Sequence, residues 1–225
     1  MADRMHPPRR SRRTNHTAHH GAEQVALYSG TMTTWKELTD NNPAHSENYA
    51  QRWRNLAAAG NDIYGEARLI DAMAPRGAKI LDAGCGQGRI GGYLSKQGHD
   101  VLGTDLDPIL IDYAKQDFPE ARWVVGDLSV DQISETDFDL IVSAGNVMGF
   151  LAEDGREPAL ANIHRALGAD GRAVIGFGAG RGWVFGDFLE VAERVGLELE
   201  NAFESWDLKP FVQGSEFLVA VFTKK

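Results

Sequence analysis

Ten residues, Lys79-Ile80-Leu81-Asp82-Ala83-Gly84-Cys85-Gly86-Gln87-Gly88, constrain the fold more than any other stretch of this chain. An apolar, strand-forming run leads straight into a turn in which every second residue is glycine. Such a turn opens a helix, and glycine is needed there because a side chain would keep a ligand from approaching the backbone and would resist a positive φ.

The rhythm that starts at Lys79 continues to the end of the chain. Short β-rich runs alternate with helical stretches: KILDA, then Gly88 to Lys96; DVLGTD, then Ile109 to Gln116; RWVVGD; FDLIVSAG, then Glu157 to Leu167; GRAVIGFG, then Val184 to Val195. This alternation predicts a parallel sheet covered by helices on both faces. Leu197 to Glu204 and Glu216 to Thr223 are both strand-like with no helical pattern between them, so this last pair is expected to be antiparallel.

Ahead of the sheet, Ser46 is expected to cap a helix carrying Tyr49, Trp53, Leu56 and Ala57 on one face, ended by Gly60. A second helix is expected from Asp62 to Met73, with Ile63, Ala67 and Ile70 in phase. The predicted organisation is therefore a disordered basic tail over 1–31, a helical cover over 32–76 and an α/β domain over 77–225. Met32 opens a segment that reads like an ordinary amino terminus.

Charge separates the tail from the rest. Residues 1–20 carry Arg4, Arg9, Arg10, Arg12 and Arg13 against Asp3, while the whole chain has a net charge of −9, so the remainder is strongly acidic. An acidic body repels phosphate backbones, which disfavours a nucleic-acid substrate. No apolar run approaches the roughly 18 residues of a membrane span, so no membrane association and a cytoplasmic location are expected. The single cysteine, Cys85, excludes an internal disulfide and a paired-cysteine zinc site, and no metal is expected.

The glycine spacing discriminates between cofactors. A dinucleotide fingerprint G-x-G-x-x-G counted from Gly84 would put its third glycine at Arg89, whereas the pattern here is D-x-G-x-G-x-G from Asp82 to Gly88. Asp105 ends the next strand, where an acidic side chain accepts hydrogen bonds from both ribose hydroxyls.

On these residues, from about Tyr49 onward, the chain resembles the class I S-adenosylmethionine-dependent methyltransferases. The resemblance implies a seven-stranded doubly wound sheet of order 3-2-1-4-5-7-6 with strand 7 antiparallel, and S-adenosylmethionine as the cofactor. It implies that Gly84, Cys85, Gly86 and Gly88 pass the methionine and ribose, with Asp82 stabilising the loop and reaching toward the amino group. It also implies that Asp105 binds the ribose with Leu106 beside the adenine, that Asp127 accepts from the adenine amino group with Leu128 against the ring, and that Gly145 lies where cofactor and acceptor meet.

The acceptor side is less defined. A DNA amino-methyltransferase carries an Asp or Asn followed by Pro-Pro and an aromatic after the fourth strand; here the chain reads Asn146-Val147-Met148-Gly149-Phe150. Asn146 either meets the acceptor or shapes the strand exit. Tyr49, Trp53, Trp183 and Trp206, with Phe211, either wall an acceptor pocket or fill core. Asp139 and His99 stand at the wrong ends of their strands for a site and are expected to be structural. The reading is a methyltransferase acting on a small-molecule acceptor without an evident general base. The alternatives are an RNA methyltransferase and an inactive cofactor-binding interaction protein.

Overall fold

The computed structural model describes residues 33–225, so the expected tail lies outside the described residues. The change of rhythm at Lys79 begins a central strand. Strands β1 (Lys79–Ala83), β2 (Asp100–Asp105), β3 (Arg122–Val125), β4 (Phe138–Ser143), β5 (Leu167–Gly178), β6 (Leu197–Phe203) and β7 (Phe217–Lys224) form one sheet in the order β3-β2-β1-β4-β5-β7-β6. The first five pair in parallel, and β7 runs antiparallel between β5 and β6, as the sequence predicts.

The helices are α1 (Trp35–Asn41), α2 (His45–Ala58), α3 (Gly65–Met73), α4 (Arg89–Lys96), α5 (Pro108–Asp117), α6 (Val147–Phe150), α7 (Arg156–Ala166) and α8 (Phe185–Arg194). Central strands are apolar on both faces because both faces are covered. Ile80 and Leu140 pack with Ile70 of α3 and Leu94 of α4, while Leu81 and Ile141 pack with Leu160 of α7 and Phe188 of α8.

The helical cover differs in three ways from the expectation. A short helix, α1, precedes the two expected ones; Thr34 and Glu37 form a capping box at its start, a signal present in the sequence as T-x-x-E. Ser46 is not a cap. It lies inside the first turn of α2, 2% exposed, and its Oγ donates to the Asp107 carboxylate 61 residues away. Helix α3 begins at Gly65 and not at Asp62, because Asp62 Oδ1 accepts from Tyr64 N at 3.1 Å and ties up the preceding turn. None of the described helices is long and apolar enough to cross a membrane.

Candidate functional site

In a sheet of this order the connections leave in opposite directions at β1 and β4, so their carboxyl ends open a crevice. A cleft of about 600 Å³ lies there, its floor made by Gly84 and Gly86 after β1 and Gly145 after β4. Asp105 and Leu106 at the end of β2, and Asp127 and Leu128 after β3, line one side. Trp35 of α1, Tyr49 of α2 and Phe150 of α6 line it as well.

The glycine turn is held by the strands around it. Gly84 N and Cys85 N donate to Thr104 O at 2.8 and 3.0 Å, and Gly86 N donates to Asp105 Oδ2 at 2.8 Å. Gly84 has φ +79°, and a Cβ there would collide with the Val147 side chain. Only glycine fits both the conformation and the space.

Asp105 faces the cleft with spare capacity. Oδ1 accepts from Asp107 N at 2.9 Å and Oδ2 from Gly86 N, and each carboxylate oxygen has a second lone pair. Burial pushes its pKa up to about 6; the two backbone bonds pull it down and the nearby Asp107 charge pushes it further up. Asp127 Oδ1 accepts from Ser129 N at 2.8 Å, shaping the turn in which Asp127 and Leu128 meet the cleft.

Three residues expected to touch the cofactor are not among those lining the cleft. Asp82 is 2% exposed behind the turn, where Oδ2 accepts from Gly91 N at 2.8 Å and so joins β1 to α4; burial pushes its pKa up to about 7. The turn is stabilised as expected, but the carboxylate does not reach the cleft. Cys85 packs its side chain among Ile111, Ala114 and Trp123. At Gly88 a Cβ would come within 2.9 Å of both Ala114 and Trp123, so this glycine serves the packing of α4 against α5 and β3.

The acceptor candidates divide. The Tyr49 hydroxyl lies 3.8 Å from where a Cβ on Gly145 would be, and burial raises its pKa, keeping the phenol neutral. Trp53 does not line the cleft but stands behind Tyr49, ring centroids 6.4 Å apart, under the Arg89 guanidinium at 4.3 Å. Its buried Nε1 has no partner at hydrogen-bond geometry among the described residues, yet it acts on the Tyr49 hydroxyl from beyond that geometry and lowers its pKa, less than burial raises it.

Asn146 is not among the residues lining the cleft; its Oδ1 accepts from Gly178 N at 2.8 Å, bracing the exit of β4 against the end of β5. Trp183 and Trp206 lie elsewhere. Trp183 is 2% exposed in an aromatic cluster with Phe177 and Phe188, and Trp206 covers Gly176, where a Cβ would stand 2.5 Å from its ring. Phe211 packs edge to face on Phe185, at 5.8 Å.

Sequence reasoning missed Trp35, Leu110, Val147 and Phe150, all of which line the cleft. It also missed Arg89, whose side chain donates to Ile63 O and pairs with Glu66 through two 2.9 Å bonds, tying α4 to α3. Asp139 accepts from Lys79 N at 2.8 Å and His99 Nε2 pairs with Asp71 at 2.9 Å, both structural as expected.

Comparison with known proteins places this architecture. The model of a family described as a methyltransferase domain matches residues 80–171. An S-adenosyl-L-methionine-dependent Diels-Alderase of Neonectria is 30% identical over 140 residues, 61% of this chain and 54% of that protein. The chain spans about half the length of the curated relatives it matches. In fold it is similar to an S-adenosylmethionine-dependent methyltransferase from Clostridium acetobutylicum, with TM-score 0.69, 13% identity and coverage of 79% of this chain and 98% of that one. It is also similar to the 1,6-didemethyltoxoflavin-N1-methyltransferase of Burkholderia thailandensis, solved with 1,6-didemethyltoxoflavin and S-adenosylhomocysteine, with TM-score 0.59, 20% identity and coverage of 83% and 89%.

Proposed function

We propose that this chain, which belongs to the class I S-adenosylmethionine-dependent methyltransferases, binds S-adenosylmethionine in the cleft and transfers its methyl group to a small-molecule acceptor. The observation that carries this reading is the line of groups along the cleft. Asp127 and Leu128, then Asp105, then the glycine turn, then Gly145 follow one another over the ends of β3, β2, β1 and β4.

The residues fit the cofactor chemically. Asp105 retains lone pairs for a vicinal diol, the floor of glycines leaves room for an extended ligand, and Leu106 and Leu128 offer apolar faces to a base. When bound, the cofactor supplies an electrophilic methyl on a positively charged sulfur. The protein's part is to bind, orient and exclude water. Trp35, Tyr49 and Phe150 wall the cleft, and holding a nucleophile in line is worth about 7 to 11 kcal/mol, so no covalent help from a side chain is required.

A small acceptor is supported by the apolar aromatic lining of the cleft and by the acidic body of the chain. The Burkholderia neighbour, solved with a small heterocycle, is consistent with this.

The test is calorimetry with S-adenosylmethionine and NAD, followed by detection of S-adenosylhomocysteine after incubation with small amines, phenols, carboxylates and bulk RNA. Binding of the first and not the second, with product from a small acceptor, is expected. NAD binding without a response to S-adenosylmethionine overturns the reading. The Neonectria relative bears the name of a Diels-Alderase, so tight cofactor binding with no product across the panel favours a role in which the cofactor is held and not consumed.

A further inference from the structure

We propose that the α1–α2 cover is a latched gate: Asp107 holds it shut through Ser46 and Trp35, Tyr49 lies across the glycine floor beneath it, and a ligand enters when the latch opens. The inference rests on the proposed binding of S-adenosylmethionine in this cleft.

Much of the cleft's 600 Å³ is its open mouth; the cavity proper, the space open to the centre of a water molecule, is about 70 Å³. Sites for small molecules take about 300 to 1,000 Å³. The shortfall lies over the floor. A ring carbon of Tyr49 stands 3.6 Å from where a Cβ on Gly86 would be, and its hydroxyl stands 3.8 Å from the same position on Gly145. With about 1.5 Å for the missing bond, the ring is no more than about 5 Å from the Gly86 backbone. A ligand atom between the two needs about 3.5 to 4 Å on each side, about 7 Å in all. One side chain thus spans the exits of β1 and β4 and fills the layer in which a ligand resting on the glycine turn would lie.

Neighbouring rings keep Tyr49 from turning aside. Trp35 meets it edge to face at 5.3 Å and Trp53 at 6.4 Å, and Trp35 in turn meets Phe150 of α6 at 5.5 Å. Room on the floor therefore requires the helix itself to lift. The two ends of α2 are held differently. Toward its carboxyl end, Arg54 makes two bonds to Asp117 of α5, at 2.6 and 3.0 Å, and Trp53 lies under Arg89. At its amino end Ser46, three residues before Tyr49 on the same face, donates to Asp107 Oδ2, and Trp35 Nε1 donates to the same oxygen at 2.8 Å. Lifting Tyr49 carries Ser46 away from Asp107. The apolar contact beneath is small, with Trp35, Ala50 and Leu110 the buried members of a cluster separate from the two main cores. Few buried apolar contacts mark a unit that opens locally.

The latched form has no room for the ligand, so latch and ligand compete, and the measured affinity is the intrinsic one reduced by the fraction of molecules that are open. Weakening the latch therefore tightens binding. Removing a residue that merely supports the site does the reverse. Ser46 separates the two roles, because it is 2% exposed, its hydroxyl reaches Asp107, and it is not among the residues lining the cleft.

Full-length wild type and Ser46→Ala are titrated with S-adenosylhomocysteine by calorimetry, and association is timed by stopped flow. Ser46→Ala is expected to lower Tm and yet to bind at least about threefold more tightly and associate at least about threefold faster, since a hydrogen bond to a carboxylate holds such an equilibrium by about tenfold or more. Wild type supplies a second reading without any variant. Hydrogen exchange at the amides of α1 and the first turn of α2 is expected to quicken at saturating S-adenosylhomocysteine, whereas a ligand held under a latched cover slows it or leaves it unchanged.

Equal or weaker binding by folded Ser46→Ala overturns the gate, as does exchange in the wild type that slows or stays the same; if Ser46→Ala does not fold, the exchange measurement decides. If S-adenosylhomocysteine binds neither protein, the cofactor reading falls and the gate with it. If it binds both with the same affinity, only the gate falls.

Discussion

The indole Nε1 of Trp35 donates to Asp107 Oδ2 at 2.8 Å, across 72 residues of sequence. The same carboxylate accepts from Ser46 Oγ, and its Oδ1 caps α5 by accepting from Ile109 N at 2.9 Å and Leu110 N at 3.4 Å. One 4% exposed side chain thus fastens both α1 and α2 to the start of α5, and its own backbone N–H holds Asp105.

Asp107→Ala is therefore expected to destabilise the protein by about 2 to 4 kcal/mol. Loss of the cap costs about 1 kcal/mol, and leaving buried donors unpaired costs about 1 to 3 more. Urea denaturation checks the value. A change below 0.5 kcal/mol, as an ordinary surface substitution gives, would show that α1 and α2 are held by packing alone.

Asp105→Ala leaves the fold intact and weakens S-adenosylmethionine binding by about tenfold to a thousandfold, because a carboxylate bond to each ribose hydroxyl is worth about 1.5 to 3 kcal/mol. Calorimetry on fully folded protein decides. If Asp107→Ala weakens cofactor binding more than Asp105→Ala under those conditions, the assignment at the end of β2 is off by two residues.

The ligand-free protein is expected to lose stability relative to Asp105→Asn as pH rises from about 4 to 7. The Asp105 carboxyl is raised to about 6, above its unfolded value near 3.9, so its contribution is complete below that lower value and lost as pH passes through 6. The difference should reach about 1 to 2 kcal/mol, toward the low side because the group faces an open cleft. Cofactor affinity should rise over the same interval, since hydroxyl donors favour the ionised form, and this rise should be flat in Asp105→Asn. Urea titrations and calorimetry at pH 4, 5.5 and 7 measure both.

Gly84→Ala and Gly86→Ala should differ. Both glycines have positive φ, but a Cβ on Gly84 strikes Val147, whereas on Gly86 its nearest neighbour is a Tyr49 ring carbon at 3.6 Å. Gly84→Ala is expected to abolish cofactor binding and cost more than about 2 kcal/mol, and Gly86→Ala to cost about 1 kcal/mol with a milder loss of affinity. Equal effects would mean that conformation, and not the space beside Val147, decides.

Trp183→Ala should cost about 3 to 5 kcal/mol as a large core truncation while leaving cofactor affinity unchanged in the folded fraction. A stable variant with altered acceptor selectivity would return this tryptophan to the acceptor pocket.

The fold was legible because its signals are local and repeated. The runs Ile80-Leu81 and Leu140-Ile141-Val142 are apolar on both faces, which only a doubly covered sheet requires, and the strand order held to its reversed seventh member. The lining of the cleft was legible too, since Gly84, Gly86, Asp105, Asp127 and Gly145 stand at strand ends, and a strand end fixes which edge of the sheet a residue occupies. Side-chain direction was not. Asp82, Cys85 and Gly88 belong to the same motif yet serve the packing behind the turn, because positive φ at Gly84, Gly86 and Gly88 breaks the simple alternation of a strand.

What the sequence by itself determined is the order of elements and the edge where chemistry gathers, both set by residue spacing within a few turns or strands. Only the tertiary structure decided what closes that edge. Trp35 and Tyr49 reach the cleft because Asp107 holds their helices there, through bonds spanning 72 and 61 residues that leave no periodic trace in the chain. Trp183 and Trp206, equally aromatic and equally placed after strands, turn inward because β5 and the flanking helix offer apolar surface to bury against. Burial is a property of the assembled neighbours, and neighbours from distant parts of the chain meet only once the sheet is formed.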